Sequence, residues 1–286
     1  MKKSTILFTL LISVLVVLSS CNKGFKGEND QISLPPKSSM DLNFDSFSAN
    51  TKSGLKSTET DTSYQTYLSA KGVVDIWSLV GFFTLAVPTA SFYAAFNNEP
   101  ELIADYTWEW KYSVDYIGAT YHARLVGTTD KDNEQVNWQM FIKKDGIMGH
   151  DEFLWFEGTS YTDNSKGTWK LNQSYQFQNP LLKLEWTANA TKEAVSSVKY
   201  TYVRENDDWG NVDKFNGSYM NFGIQVGALD AYFNAHYYAG LLNQNFVDVN
   251  IEWSTSAYNG RIKASHIFNV DTWKCWDVDG KNTVCE

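Results

Sequence analysis

The sequence predicts a mainly β fold: an antiparallel meander of about ten to twelve strands forming a curved sheet or barrel, with one apolar helical segment packed against it. Three observations carry this. Apolar and polar residues alternate with a period of two in segment after segment beyond Pro100, as in Trp108, Trp110, Tyr112 and Val114 against Glu109, Lys111, Ser113 and Asp115. Short turn-forming clusters separate those segments, and short connections make successive strands antiparallel. Only one internal stretch, Val73 to Phe96, is too long and too continuously apolar to be a half-buried strand.

The chain opens on Lys2 and Lys3, then an uncharged apolar run from Ile6 to Leu18. That run is short for a bilayer span and suited to a secretory leader. It ends in Leu18-Ser19-Ser20-Cys21, which resembles the lipobox of bacterial lipoproteins. The resemblance covers about the first two dozen residues. It implies that residues 1–20 are a signal peptide and that Cys21 takes a diacylglycerol and becomes an acylated amino terminus. Several buried acyl chains give stable anchoring, at about 0.8 kcal/mol per methylene. In such proteins an aspartate after the cysteine retains the protein at the inner membrane. Asn22 stands here, which implies the outer membrane. Lys23 and Lys26 replace the acidic cluster of surface-exported lipoproteins, which favours a body facing the periplasm.

Residues 21–37 are polar, end in Pro35-Pro36 and read as a lipidated tether. Residues 38–286 then form a single β-rich domain. Met40, Leu42 and Phe44 alternate with acidic and amide residues and predict a first strand, and Ala49 to Asp61 reads as an exposed loop. Thr62 and Gln65 have the capping-box spacing, so a helical segment is expected over 62–97. Its Ile76, Trp77, Leu79, Val80, Phe82, Phe83, Leu85 and Val87 make it apolar nearly all round, which requires burial. Pro88 predicts a break into a helical hairpin under the sheet. Insertion in a bilayer and a pair of strands are the alternatives.

The strand signal recurs at Ala119–Leu125, Val136–Ile142, Phe153–Trp155, Trp169–Leu171 and Leu182–Ala188. It returns at Val198–Tyr202, Phe233–Tyr237, Val247–Trp253 and Ile262–Ala264. With Cys21 used by the anchor, Cys275 and Cys285 remain as an even pair in an oxidising compartment. They bracket Asp279-Gly280 and predict a disulfide hairpin over 273–286. Directly opposed cysteines centred on Gly280 require an odd loop of three or five residues. Helical cover on a curved sheet resembles, in architecture alone, the half-barrel periplasmic lipoprotein carriers that hold acyl chains.

The net charge of −9, with no basic block, disfavours nucleic acid as a partner. There is no Gly-x-Ser-x-Gly, no phosphate-cradling glycine loop and no HExxH spacing, so no catalytic residues or metal ligands are assigned. Asp277–Asn282 and Asp130–Glu134 place oxygens at alternate positions, as calcium loops do, but neither completes the pattern. Asn206-Asp207-Asp208-Trp209-Gly210 is the acidic stretch best placed for glycan chemistry. Three functions compete. The first is a non-enzymatic, lipid-anchored envelope protein holding a hydrophobic ligand or partner between sheet and helices. Trp77, Phe82, Phe83, Trp108, Trp110 and Trp253 would line that site. The second is a glycan-binding or glycan-processing lipoprotein using exposed aromatics, of which the chain has many among its 11 Trp and 16 Tyr. The third is a structural protein docked on other envelope components.

Overall fold

The computed structural model describes residues 30–41, 62–240 and 244–285; the leader, Cys21, Leu42 and Phe44 lie outside them. One helix, α1 (Gln65–Ala95), precedes a run of strands. These are β1 (Glu101–Ala104), β2 (Thr107–Tyr116), β3 (Ala119–Asp130), β4 (Gln135–Lys144), β5 (His150–Tyr161), β6 (Lys166–Asn172) and β7 (Pro180–Ala188). They continue with β8 (Val195–Tyr202), β9 (Tyr219–Ile224), β10 (Ala231–Tyr238), β11 (Phe246–Trp253), β12 (Gly260–Lys263), β13 (Lys274–Trp276) and β14 (Asn282–Thr283). A one-turn helix, α2 (Ser265–Phe268), sits between β12 and β13. The strands form one sheet in sequence order, each antiparallel to the next. The expected meander is therefore present with 14 strands. β1 and β9 are additional to the predicted set.

Alternation decides the two faces. Trp110, Leu125, Met140, Phe156, Trp169, Leu184, Tyr200, Phe233, Val249 and Ile251 point inward and are buried. α1 lies on that face and touches strands near both ends of the order, β2 and β3 on one side and β12 to β14 on the other. Meeting both ends of a long sheet with one helix requires the sheet to curl around it. The outer face is the reverse of a membrane barrel. Thr128, Asn137, Thr159, Thr168, Glu185, Lys199, Asn221, Asn234 and Asn250 stand register partner to register partner across successive strands. A lipid-facing barrel wall would be apolar there.

The inner tryptophans are set against glycines. Trp138 pairs with Gly127 on one side and Gly158 on the other, Trp186 pairs with Gly167, and Trp253 and Trp276 flank Gly260. A Cβ at Gly158 would stand 2.6 Å from the Trp169 ring and 2.1 Å from a backbone oxygen. The missing side chains let each indole lie across its neighbour strand. Ser160 accepts the Trp138 indole N–H at 2.9 Å and Tyr258 carbonyl accepts that of Trp276 at 2.8 Å.

Several expectations need correction. The segment read as tether up to Lys37 packs from Ile32 onward: Ile32, Pro35 and Pro36 are buried, and Asn164 donates to Leu34 carbonyl at 3.0 Å. Burying these three apolar residues favours docking the segment. Met40 is buried in a 3-10 turn, Lys37–Met40, rather than in a strand. The predicted capping box is not what holds the start of α1. Asn282 does so from β14, accepting from Thr66 N–H at 3.0 Å and donating to Thr62 carbonyl at 2.7 Å.

The helix is continuous rather than a hairpin broken at Pro88. Its halves, Thr62–Gly81 and Thr84–Ala95, meet at 63°. Pro88 cannot donate to Thr84 carbonyl and its ring crowds that group, so the bend falls one turn before the proline. Burial is also one-sided. Val73, Val74, Leu85 and Phe92 face the sheet, whereas Ile76, Leu79 and Val80 are exposed among the described residues. One curled sheet covers only one stripe of a helix.

The disulfide Cys275–Cys285 is formed, with Cα atoms 5.2 Å apart. Its five-residue loop, Asp277–Lys281, is as expected, but the cysteines are not register partners. Cys275 pairs with Thr283 and Trp276 with Asn282, so the turn centres on Asp279. Asp277 sets that centre by accepting the N–H groups of Asp279 and Lys281, both at 2.9 Å.

Candidate functional site

The residues expected to line a hydrophobic site inside the sheet are engaged in packing. Trp110 is buried with its ring centroid 5.8 Å from that of Trp138. Trp253 is buried beside Gly260 in register. Trp108 is half-buried in the row of Gly127, and Trp77 meets Tyr237 edge-on at 5.8 Å. The side chains of Phe82 and Phe83 lie outside the described set. Phe92 fills the centre against Trp169 at 5.4 Å and Phe156 at 6.5 Å. A ligand between sheet and helix would have to displace these contacts.

The described concavity lies on the other face. A groove of about 550 Å³ crosses the outer surface, bordered by Gln135, Thr159, Tyr161, Lys166, Glu185, Thr187, Ser197, Lys199, Asn221 and Tyr232. Register builds it. Thr187, Ser197, Gly223 and Tyr232 succeed one another across β7 to β10, so a hydroxyl, a hydroxyl and a bare glycine floor the dip before the Tyr232 ring rises. On the far side Tyr161 carries the Lys166 ammonium 4.6 Å above its ring. Thr159 and Thr168 hydroxyls touch at 3.2 Å, and Lys199 stands 4.3 Å over Tyr219. Gln135, Thr187, Asn221 and Tyr232 keep their side-chain polar groups without a protein partner among the described residues. Trp186 borders the groove from beneath with a buried indole N–H that also lacks a partner. Such donors and acceptors are satisfied by water or by a ligand.

Glu185 is the one carboxylate bordering the groove, and Lys183 pairs with it at 2.9 Å. Glycoside hydrolysis by the usual route needs two carboxyl groups flanking the bond.

Other candidates resolve into structure. In the Asn206–Gly210 stretch, Asp207 accepts from Trp209 N–H at 3.0 Å and Asn211 N–H at 2.8 Å, while Asp208 pairs with Arg204 at 3.0 Å. Those carboxylates hold their own loop. The Asn211 side chain is the main cause that keeps the Asp207 carboxyl below its usual range. Asp130 likewise binds Asn133. No cluster of three His, Cys, Asp or Glu side chains suited to a metal occurs among the described residues.

One constellation has no sequence signature. His122 Nδ1 lies 2.9 Å from Ser113 Oγ and its Nε2 lies 2.5 Å from Asp145 Oδ2. In a hydrolytic triad serine meets Nε2 and the carboxylate meets Nδ1. Here the nitrogens are exchanged, and His122 and Asp145 are each nearly half exposed. The array is a surface hydrogen-bond chain; His122 first, then Lys143, lowers the Asp145 pKa.

The fold and site thus define a single curled antiparallel sheet wrapped on a bent helix, with a polar groove outside and a tryptophan core inside. No family model, no curated protein and no solved structure matches the chain.

Proposed function

We propose that the chain is a lipid-anchored cell-envelope protein, held at the outer membrane through Cys21 and facing the periplasm, whose outer groove binds a glycan. The groove carries this reading: a shallow polar trough with unpartnered Gln135, Thr187 and Asn221 between two tyrosines, Tyr161 and Tyr232. Sugars present several hydroxyls around the ring and a weakly apolar face of C–H groups. Amide and hydroxyl side chains meet the first, and ring faces meet the second. The leader, the lipobox-like Leu18–Cys21 and the Cys275–Cys285 bridge support an exported, anchored chain. The ring contacts of Trp110 with Trp138, and of Phe92 with Trp169 and Phe156, give less support to a hydrophobic ligand between sheet and helix at those described residues.

Affinity electrophoresis in gels cast with envelope polysaccharides tests the binding. Retardation is expected for the full chain. Replacing Tyr232 and Asn221 together by alanine should weaken binding by roughly tenfold or more, since each lost contact removes on the order of 1 kcal/mol. Retardation unchanged in that variant, or absent on every polysaccharide, removes the reading. Mass spectrometry of the exported amino terminus tests the anchor separately, as an acylated Cys21 or an unmodified one.

A further inference from the structure

In an antiparallel meander, alternate connections fall at the same end. The connections β2–β3, β4–β5 and β8–β9 therefore share one end of the sheet, and their tips carry large apolar side chains. Ile117 is 83% exposed, Ile147 93%, Met148 84%, Trp209 85% and Val212 78%. At the opposite end Val226 is fully exposed and Val278 56% exposed, one apolar side chain in each of two connections, while others are built from residues such as Lys131-Asp132-Asn133 and Asp163-Asn164-Ser165.

These tips also defy turn chemistry. Ile117 has φ +46° and Met148 φ +59°, a backbone region where Asn, Asp or Gly belongs and a β-branched residue is strained. The chain thus keeps an isoleucine where both its backbone and its exposure are unfavourable. Among the described non-glycine residues with positive φ, Ile117 is the one that is β-branched.

We infer that this rim inserts into a zwitterionic lipid surface. The apolar groups stand singly on separate tips and project outward. A protein partner would need a matching pocket for each, whereas hydrocarbon accepts them in any arrangement. The connection that carries Trp209 holds Glu205, Asp207, Asp208 and Asp213 against Arg204 and Lys214, and this net negative charge disfavours an anionic surface. The inference rests on the anchored reading for the nearness of a bilayer, and on the rim alone for insertion. Asn164 holds the Ser33–Leu34 segment at the end opposite the rim. Nine Cα–Cα steps separate Cys21 from Asp30, a reach of at most about 30 Å. The twelve-residue β5, tilted as in curled sheets, spans a comparable height. The arm is long enough for the rim to meet the membrane that holds the anchor.

The test uses the full chain with phosphatidylcholine vesicles, with and without brominated acyl chains. Bromine should quench a component of the tryptophan emission that Trp209→Phe removes. A Val226→Trp substitution placed in that Trp209→Phe background, at the far end, should add emission that bromine does not quench. Ile117→Asn should raise the unfolding temperature while reducing the quenching of Trp209, opposite signs that a merely structural residue would not give. Vesicle-bound chain whose Trp209 is unquenched overturns the rim and leaves the anchor standing. Quenching equal at both ends overturns it too, as does a rim that crosslinks to an envelope protein while Trp209 escapes bromine. A chain without acyl mass at Cys21 sinks the anchored reading instead, and Trp209 quenching on added vesicles still judges the rim.

Discussion

Trp138 lies between two glycines, and that small fact governs the inner face. An indole needs width that a neighbouring strand's Cβ would occupy, so Gly127, Gly158, Gly167 and Gly260 are spacing elements rather than turn residues. Gly158→Ala should destabilise the fold by about 1–3 kcal/mol, the usual cost of overpacking, because its new methyl meets Thr168 carbonyl and Trp169. A lowered urea midpoint with unchanged slope would show it; an unchanged midpoint would refute the spacing role. The alternation of Trp108 and Trp110 with charged residues showed in advance that the two share a face. That Gly127 and Gly158 stand beside Trp138 could not be read, because register between strands is not written in either strand. The groove residues were missed for the same reason. Thr187, Ser197 and Asn221 each look like ordinary water-facing strand positions until seven strands, β4 to β10, are aligned.

At the scale of elements, local signals held where the segment decided its own state and failed where a distant one did. The helix was legible from its length of apolar residues, and a distortion was legible from Pro88. The start of the helix was not, since Asn282 caps it across 216 residues of chain. The hairpin that carries Asn282 is stapled by Cys275–Cys285, and Trp276 in it meets Tyr67 of α1 at 5.9 Å. Replacing both cysteines by serine should therefore loosen two elements at once. The expected loss is about 2–3 kcal/mol for a loop of this size. Hydrogen exchange should rise at Thr66 and Tyr67 as well as in β14. Faster exchange confined to the hairpin would show that it does not hold the helix.

For the whole molecule, charge and burial set a pH range of stability. Asp163 opposes its own burial with bonds from Lys192 and Ser165, and its pKa falls to about 2. Asp213 is lowered too: burial raises it, but Phe215 N–H, Arg204 and Tyr202 outweigh that. Depressed carboxylates stabilise above their unfolded pKa of about 4, and that stability is lost as pH falls towards about 2. His266, lowered by burial, acts in the same direction from about pH 6.5 downward, because the unfolded chain takes up the proton first. Tyr202, raised by burial and then by Asp213 to about 12, loses its contribution as pH rises from about 10 to about 12. Thermal unfolding should therefore show a plateau between about pH 6.5 and 10, with a steep acid decline below pH 4. A melting temperature that stays level from pH 5 to pH 2 would contradict the carboxylate assignments.

By itself the sequence determined the class of fold, the meander order, the inward and outward sets on most strands, the helix and the cysteine pairing. Each follows from residues within one segment or from counting. Tertiary structure alone decided where the sheet curls, which residue caps the helix, how Ile32 and Met40 come to be buried, and which polar side chains converge into a groove. Those depend on register and closure, which arise only when strands far apart in the chain take up neighbouring positions.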